Sequence, residues 1–261
     1  MKALNLPEAI DTARKAADIG AAIAMRKRES AEELNVQSKG KADFVTDVDH
    51  MAQAAIIEII RTRYPDHRFL AEEEGADAFG DPASPYRWII DPLDGTTPYI
   101  HGSNEFGTII ALQKNEETIL GAITIPVKDE RFWSAKGQGA FFNGKRISSL
   151  RATQSLDDAI ICANLGRHAP SYDLMSFRCG SLQNTGCAAT MIAEILKGHN
   201  DGLLFDAGPH LWDTAAGCLM IEEASGKSRT ELLDPHDPRC KVRCVASTPP
   251  IFKELCKLLW E

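Results

Sequence analysis

Residues 91–102 read DPLDGTTPYIHG and directly follow RWII, an apolar run with the character of a strand. In an extended chain Asp91 and Asp94 would lie ~10 Å apart, which is too far for both to hold one ion. Pro92 fixes one φ angle and Gly95 permits a left-handed one, so a turn here would bring the two carboxylates to a shared centre. The stretch therefore predicts a strand that ends in a pair of oxygen ligands.

The second half of the same stretch predicts a helix. Thr96 or Thr97 can cap it, and Pro98 suits its first position because the N–H that proline lacks would be unpaired there. Free N–H groups at a helix N-terminus beside a cation form an anion site, and phosphate is the anion that needs both. These residues are also ordinary turn and cap chemistry, so a purely structural role stays open for the stretch alone.

Two further acidic sites fall where a predicted strand or helix meets a loop. Glu72 and Glu73 follow the strand RFLA, and Asp213 opens a helix in LWDTAAG. Taken singly, an acidic run is usually solvated and an Asp in a first helical turn is usually a cap. Three such junctions in one chain favour a common site, because Mg²⁺ takes oxygen ligands and leaves positions for water and phosphate.

Composition limits the class of protein. The 261 residues, 44% of them hydrophobic, fit one large domain or two closely packed halves. A formal net charge of −8 argues against nucleic-acid binding by bulk electrostatics. The seven cysteines are odd in number and contain no CxxC pair, which indicates reduced thiols. Since the first residues lack a signal-peptide core and no apolar run reaches ~18 residues, we expect a cytoplasmic protein with neither membrane nor nucleic-acid partners.

Periodicity predicts elements whose arrangement changes near residue 150. From Thr46 onward, apolar residues recur at i, i+3, i+4 and i+7, as on one face of a helix. The β-rich segments that follow are typical of antiparallel hairpins. The predicted N-terminal elements are helices over about 5–28 and 46–64, a Lys/Gly-rich link at 37–43, strands over 68–71, 87–90, 106–113 and 118–127, and a further hairpin that turns at Asn143–Gly144.

After residue 150, predicted strands over 159–163 and 202–205 alternate with helices over about 186–197 and 212–224, which suggests βαβ units. No linker of Pro/Ser/Gly composition separates the two parts. We therefore expect an α+β / α/β fold in which residues 1–261 form a single catalytic unit. Its metal and phosphate half would span about 1–150, and its α/β half about 151–261.

Alternative chemistries match the sequence less well. No GxxxxGK[ST] loop or HExxH motif occurs. The pair Asp47 and Asp49 mimics the DxD motif of aspartyl-phosphate phosphatases, but the apolar strand before it is short and Met51 follows where Thr or Val is needed. A metal pair of Cys240 and Cys244 lacks a second pair at zinc-finger spacing.

Taken together, the acidic segments resemble the inositol monophosphatase family of Mg²⁺-dependent, Li⁺-sensitive phosphatases. DPLDGTT followed more than a hundred residues later by WDxAAG is a specific combination. The likeness extends over most of the chain, through KGKADFVTDVD near the start and GAFFNGKRIS in the middle. The segments that carry it are LAEEEG at 70–75, WIIDPLDGTT at 88–97 and WDTAAG at 212–217.

The resemblance implies a layered αβαβα sandwich with N-terminal helices, a largely antiparallel sheet and a mixed α/β half, commonly as a homodimer, with two to three Mg²⁺ ions between the parts. Thr96, with Asp49 behind it, would orient the attacking water, and Glu73 would assist through a water on the metal. The implied metal ligands are Glu72, Asp91, which bridges two ions, the carbonyl of Leu93, Asp94 and Asp213. The implied substrate contacts are Glu72, Gly95, Thr96, Gly186, Cys187, Asp206 and Asp213.

The chain departs from the family pattern at four places, one of which is Tyr99-Ile100 in place of a Phe-Val-type pair. Pro98 stands where the family usually has Asn, and Gly186-Cys187-Ala188 replaces a Gly-Thr/Ser-Ala turn. Asp206 matches the acid before the WD motif only with one inserted residue. The metal chemistry is therefore expected to be intact, while the identity of the alcohol part of the substrate does not follow.

The activity that the resemblance implies is hydrolysis of a phosphate monoester by a metal-activated water. Inositol 1-monophosphate is the leading candidate for the substrate. Related activities on fructose 1,6-bisphosphate, histidinol phosphate or nucleotide 3′-phosphates stay open, although DGTT rather than DGTK disfavours the last two. A non-enzymatic regulatory scaffold that retains the metal site is a further alternative.

Overall fold

Two large β-sheets carry the fold, with helices between and outside them. The computed structural model describes residues 4–30, 34–40, 43–151, 153–165 and 178–261. The described helices are α1 (Leu6–Glu29), α2 (Asp47–Arg63), α3 (Thr96–Ile100), α4 (Ala188–Leu196), α5 (Leu211–Glu223) and α6 (Pro249–Trp260). None of them combines the length and the apolar character that crossing a lipid bilayer would need.

The strands form two large sheets and one hairpin. The hairpin pairs β1 (Val36–Gly40) with β2 (Asp43–Thr46). The seven-stranded sheet contains, in order, β3 (Arg68–Ala71), β4 (Tyr86–Asp94), β5 (Gly107–Lys114), β6 (Glu117–Ile125), β7 (Glu130–Ala135), β8 (Gly139–Phe142) and β9 (Lys145–Arg146). The five-stranded sheet contains β10 (Ile160–Leu165), β11 (Ser181–Gln183), β12 (Gly202–His210), β13 (Lys227–Leu232) and β14 (Lys241–Ser247), in the order β11-β10-β12-β14-β13.

Strand directions agree with the predicted fold class. In the larger sheet only β3 and β4 are parallel, and every other neighbouring pair is antiparallel. In the smaller sheet β10 runs parallel to β11 and β12, whereas β14 runs antiparallel to β12 and β13. The C-terminal part is thus a mixed sheet rather than a purely parallel βαβ array.

Three apolar clusters stack the layers. Along β4, Trp88 and Ile90 pack against α1 and α2, while Ile89 faces the opposite way, into a core shared with α4, α5 and the five-stranded sheet. On the far side of that sheet, Ile251 and Leu255 of α6 pack onto Leu204 and its neighbours. The order is helix, sheet, helix, sheet, helix, which confirms the predicted αβαβα sandwich.

The first two helices start as the sequence predicts. The Asn5 side chain caps α1 by accepting the Glu8 N–H at 3.4 Å. At α2, Thr46 and Asp49 form a capping box, in which the Asp49 carboxylate accepts the Thr46 N–H at 2.8 Å. The predicted turn at Asn143–Gly144 is also confirmed, because both residues have the positive φ that a tight hairpin requires.

The central motif differs from the prediction in its details. Strand β4 continues through Asp94 instead of ending near Ile90, with a break in register between Asp91 and Asp94, where Pro92 offers no N–H to the ladder. Gly95, with φ 84°, then starts α3 without a side-chain cap. The expected threonine cap is wrong, since the Thr96 hydroxyl is used elsewhere. Pro98 is the third residue of α3 rather than the first, a position whose N–H would still be unpaired.

Several elements lack a sequence signal. The described residues of the Lys/Gly-rich link, 37–40 and 43, lie in strands β1 and β2, and β13, β14 and α6 were not predicted. Strand β13 has no buried residue and reads as a polar segment, KSRTEL. A strand of this kind is specified by its hydrogen bonds to β14 rather than by its own pattern of apolar residues.

Candidate active site

The predicted acidic residues meet where β4 ends and α5 begins. Asp91 and Asp94 lie at the end of β4, and Asp213 is the third residue of α5. Carboxylate oxygens of these three residues all lie within 4.8 Å of one another. With Glu72, they line a cavity of about 510 Å³. The strand break at Pro92 therefore does what the sequence suggested and brings both carboxylates to one centre.

These carboxyl groups repel one another strongly. Burial raises the pKa of Asp91 well above its usual value, and Glu72, Asp94 and Asp213 raise it further. Burial also raises the pKa of Asp94, and burial together with Asp94 raises the pKa of Asp213 to about 7. A divalent cation held by oxygen atoms would relieve this repulsion, so the residues fit such an ion.

Glu72 completes the acidic wall from the neighbouring strand. Its N–H donates to the Ile90 carbonyl at 3.1 Å, which continues the β3–β4 pairing by one residue. Its carboxyl group is hydrogen-bonded to that of Asp91. Because Glu72 also lines the cavity, a cation beside Asp91 would be within its reach. Leu93 lines the cavity too, and its carbonyl oxygen lies 2.9 Å from the Thr96 hydroxyl, which has one proton for this oxygen or for Asp49.

Thr96 and Asp49 are brought together from distant parts of the sequence. The Thr96 hydroxyl lies 3.1 Å from Oδ1 of Asp49, and only Thr96 of the two lines the cavity. Thr46 fixes Oδ2 of Asp49 with its N–H at 2.8 Å and its hydroxyl at 2.7 Å. Burial raises the pKa of Asp49, although these hydrogen bonds lower it. Asp49 is thus a helix cap and a fixed acceptor for Thr96 at once.

Glu73 lies behind the cavity rather than in its wall. It is buried, and Gln53 holds its backbone: the Glu73 N–H donates to Gln53 at 3.0 Å, and its carbonyl accepts from Gln53 at 3.1 Å. Glu73 does not line the cavity. Any part it has in chemistry would therefore run through an intervening group.

Asp94 has a second task, because it caps α4 from the other half of the chain. Its carboxylate accepts the Ala188 N–H at 3.1 Å, the Ala189 N–H at 2.5 Å and the Cys187 thiol at 2.9 Å. The residue directly before α4, Cys187, provides no side-chain cap of its own. The same carboxylate therefore faces the acidic centre and holds a helix of the second sheet's layer.

Two residues expected to contact the substrate do not line the cavity. Cys187 is 1% exposed, and its thiol faces Asp94 instead of the cavity, which Gly186 and Ala188 line. Asp94 and burial hold the Cys187 thiol pKa well above its usual value, so it stays a donor. Asp206 is buried, accepts from Arg243 at 3.0 Å and does not line the cavity.

A break in strand pairing follows Asp206. The pairing of β12 with β14 shifts register after this residue, and Ala207 adopts a positive φ of 57°. The strand therefore bulges after Asp206, which pairs across the sheet with Arg243.

Arg239 is a cavity residue that the sequence did not reveal. Its guanidinium donates to the carbonyls of Ala71 at 3.0 Å and Glu72 at 2.7 Å, and it lies 5.5 Å from the Trp212 ring centroid. It thereby ties the loop before β14 to the end of β3, beside the acidic centre.

Further unpredicted residues line the same cavity. Lys241 adds a second cation, and His210 stacks on Trp212 with the ring centroids 4.5 Å apart. Asn164 and Phe44 contribute from β10 and β2.

Fold and site together define a layered α/β protein with a buried carboxylate centre that suits a divalent cation. The family model of the inositol monophosphatase family matches residues 5–261. The chain therefore belongs to this family. It is 35% identical over 231 residues to a fructose-1,6-bisphosphatase/inositol-1-monophosphatase of Aquifex aeolicus, and the match covers 85% of each protein.

Two other relatives extend the likeness to nearly the whole chain. The Nus factor SuhB of Salmonella typhimurium is 32% identical over 255 residues, covering 95% of this chain and 92% of the relative. The crystal structure of extragenic suppressor protein suhB from Bartonella henselae matches with a TM-score of 0.85 at 29% identity, covering 97% of this chain and 99% of that chain. Family membership makes this protein a phosphatase for a phosphorylated small molecule, and the carboxylate cluster is compatible with a divalent metal ion.

Proposed function

We propose that the protein is a Mg²⁺-dependent phosphate monoester hydrolase and that inositol 1-monophosphate is the leading candidate for its substrate. One observation carries the proposal: carboxylate oxygens of Asp91, Asp94 and Asp213 lie within 4.8 Å of one another, beside a cavity, in a member of this family. We further propose that it acts as a cytoplasmic homodimer in which residues 1–261 form one catalytic unit.

The proposal assigns a role to each residue of the acidic wall. Bound Mg²⁺, in two to three ions, would activate a water molecule and stabilise negative charge on the phosphate and the leaving group. Gly95 and Thr96 line the cavity, and their N–H groups would bind the phosphate. The proposed metal ligands are Glu72, Asp91 shared between two ions, the Leu93 carbonyl, Asp94 and Asp213.

Thr96 and Asp49 would position the attacking water. With the Leu93 carbonyl engaged by a metal ion, the single proton of the Thr96 hydroxyl would go to Asp49 at 3.1 Å, and the hydroxyl oxygen would then accept from water. Two hydrogen bonds from Thr46 fix the Asp49 carboxylate. They would hold the Thr96 hydroxyl in the same orientation while the phosphate reacts. Glu73 would assist through an intervening water, since it does not line the cavity.

Replacement of Thr96 by Val tests this positioning role. We expect kcat to fall ~10²-fold with little change in KM, because Val keeps the shape of the side chain and removes the acceptor for water. Steady-state phosphate release at saturating Mg²⁺ measures both constants. Thr96→Ser keeps the hydroxyl and should retain most of the activity, so equal losses in the Val and Ser variants would contradict the assignment.

A sugar bisphosphate is the second candidate substrate, and one feature favours it. Arg239 and Lys241 line the cavity together with the acidic wall. Two cations on that wall would favour a substrate with a second anionic group. The Aquifex aeolicus relative carries fructose-1,6-bisphosphatase in its name beside inositol-1-monophosphatase.

A substrate panel decides between the candidates. Phosphate release is measured for inositol 1-phosphate, fructose 1,6-bisphosphate, histidinol phosphate and a nucleotide 3′-phosphate, with Mg²⁺, with EDTA and with millimolar Li⁺. A tenfold preference in kcat/KM, ~1.4 kcal/mol, would identify a dedicated substrate. No hydrolysis of any of them would overturn the proposal and favour a regulatory scaffold.

Lys241→Gln tests the role of the second anionic group. We expect kcat/KM for fructose 1,6-bisphosphate to fall ~10-fold, while that for inositol 1-phosphate stays within about twofold, because only the bisphosphate has a group for Lys241 to bind. Lys145→Gln, on the exposed hairpin strand β9, removes the same charge far from the cavity and serves as the control. An equal effect of Lys241→Gln on both substrates would contradict this role.

A further inference from the structure

A second cavity lies beside the first, where β3 meets the loop that leads into β14. Its volume is about 340 Å³, and its wall contains Arg68, Arg87 and Arg239 together with Asp77 and Asp237. None of the proposed metal ligands or substrate contacts lines it. Arg239 alone among these charged residues also lines the first cavity. Three guanidinium groups against two carboxylates make this cavity basic in a chain that is acidic as a whole.

Two of these arginines stand directly opposite each other. Arg68 of β3 and Arg87 of β4 are register partners in the parallel pair, so their side chains leave the sheet on the same face. Like charges in directly opposed positions destabilise a sheet. Arg87 is only 9% exposed. Burial lowers the pKa of Arg87, Glu116 raises it, and the charge of Arg68 lowers it by a smaller effect. An arrangement of this kind needs negative charge nearby to be stable.

The described residues provide little of that charge. The Nε and Nη2 of Arg87 both donate to the amide oxygen of Gln113, at 3.3 and 2.8 Å, which is a neutral acceptor. Its nearest carboxylate, that of Glu116, is 4.0 Å away and 77% exposed. The Nε of Arg68 is buried and has no hydrogen-bond partner among the residues that the structure describes.

The remaining charged groups of the cavity do not fill this gap. The guanidinium of Arg239 is bonded to two backbone carbonyls, again neutral acceptors. Asp237 uses Oδ1 to accept the backbone N–H of Arg239 at 2.8 Å. Among the described residues, neither Asp77 nor Asp237 forms an ion pair with an arginine side chain of this cavity. The role of Arg239 in joining β3 to the loop explains its own position, but it does not explain the pairing of Arg68 with Arg87.

We propose that this cavity is a second anion site, which binds a phosphate group between Arg68, Arg87 and Arg239. Arginine matches phosphate because its planar N–H groups make paired, charge-assisted hydrogen bonds to two oxygens. The volume of about 340 Å³ has room for the phosphate with a small organic part. A ligand here would contact Arg239, whose side chain donates to the Glu72 carbonyl at 2.7 Å. Because both residues line the first cavity, the ligand would affect the position of Glu72 there.

Calorimetric titration of the full chain with inorganic phosphate in EDTA tests the proposal. Without metal, the carboxylates of the first cavity weaken phosphate binding there, and substitution of Arg68 isolates the second cavity because Arg68 lines only that one of the two. We expect the unmodified protein to bind phosphate and Arg68→Gln to bind it at least tenfold more weakly, ~1.4 kcal/mol. Arg63→Gln is the matched control, because Arg63 is an exposed arginine on α2 that pairs with Glu8. It should bind as the unmodified protein does.

Two further measurements separate the outcomes. Arg68→Lys, which keeps the charge and loses the planar group, should bind phosphate with intermediate strength, and it replaces Arg68→Gln if that variant does not fold. A parallel titration with glucose 6-phosphate distinguishes the source of the phosphate group, since tighter binding of the sugar phosphate indicates an organic ligand. Absence of phosphate binding by the unmodified protein, or equal weakening by Arg68→Gln and Arg63→Gln, would overturn the proposal. The result does not depend on whether the protein hydrolyses any substrate.

Discussion

Asp91→Asn is expected to lower Mg²⁺-dependent phosphate release by ~10³-fold or more, which corresponds to about 4 kcal/mol of transition-state stabilisation. Asp91 is 1% exposed, and its oxygens lie within 4.8 Å of those of Asp94 and Asp213. Asn keeps the size of the side chain and removes the negative charge that would bridge two ions. Phosphate release at increasing Mg²⁺ concentration measures the loss.

The same substitution is expected to stabilise the protein when no metal is present. The pKa of Asp91 lies well above its usual value near 3.8, chiefly because of burial and then because of Glu72. A carboxyl group whose pKa is raised by folding lowers stability as pH rises from its unfolded pKa through its folded pKa. Asn removes this cost, so the gain is fully present at high pH and disappears in acid. A gain of 1 kcal/mol would raise the melting temperature by ~2–4 °C in a domain of this size.

Thermal melts in EDTA and in Mg²⁺, at acid and at neutral pH, check this second effect. Mg²⁺ should raise the melting temperature of the unmodified protein and leave that of Asp91→Asn nearly unchanged. Asp11→Asn is the control, because Asp11 is an exposed acid that pairs with Lys15 on α1. If Asp91→Asn melted below the unmodified protein in EDTA at neutral pH, the carboxylate repulsion would not be the dominant effect.

Asp94→Ala is expected to remove both activity and stability. The carboxylate of Asp94 accepts two backbone N–H groups and one thiol at the start of α4, at 3.1, 2.5 and 2.9 Å. Alanine leaves these buried donors without an acceptor, which costs about 2–4 kcal/mol. It also removes a proposed metal ligand, so Mg²⁺-dependent phosphate release should fall by ~10²-fold or more.

Chemical denaturation in EDTA isolates the capping role, since no metal then contributes. Asp91→Ala is the matched control, because it removes the same atoms from the same acidic centre but leaves α4 capped. We expect Asp94→Ala to unfold at a clearly lower denaturant concentration than Asp91→Ala. Equal midpoints would show that the cap contributes little. Retention of Mg²⁺-dependent activity by folded Asp94→Asn would contradict the two-metal assignment.

Much of the fold could be predicted, because its local rules agree with its packing. The periodicity after Thr46 predicted α2, and the order of residues at 91–97 predicted a strand, a turn and a helix. The sequence also predicted that Asp91, Asp94 and Asp213 share one site, because each lies where a strand ends or a helix begins. Elements without an apolar pattern, such as β13, gave no comparable signal.

The sequence could not reveal which side chains face the cavity in the C-terminal half. Cys187 lies in the expected turn, but its thiol donates a hydrogen bond to the Asp94 carboxylate and does not face the cavity. Asp206 pairs with Arg243 across the sheet, next to a bulge in β12, and does not line the cavity. Arg239 reaches the site from a loop, where its contacts to Ala71 and Glu72 depend on tertiary structure alone. Local spacing carries no information about such contacts.

The helix cap formed by Asp94 also has an evolutionary consequence. In this fold one proposed metal ligand, Asp94, stabilises the folded protein by capping α4. Another, Asp91, destabilises it when no metal is bound, because its carboxylate is buried beside other carboxylates. A lineage that abandons catalysis and keeps the protein as a binding partner gains stability by losing Asp91 and loses stability by losing Asp94. We therefore expect descendants that no longer hydrolyse phosphate to discard the first aspartate of DPLDG and to keep the second.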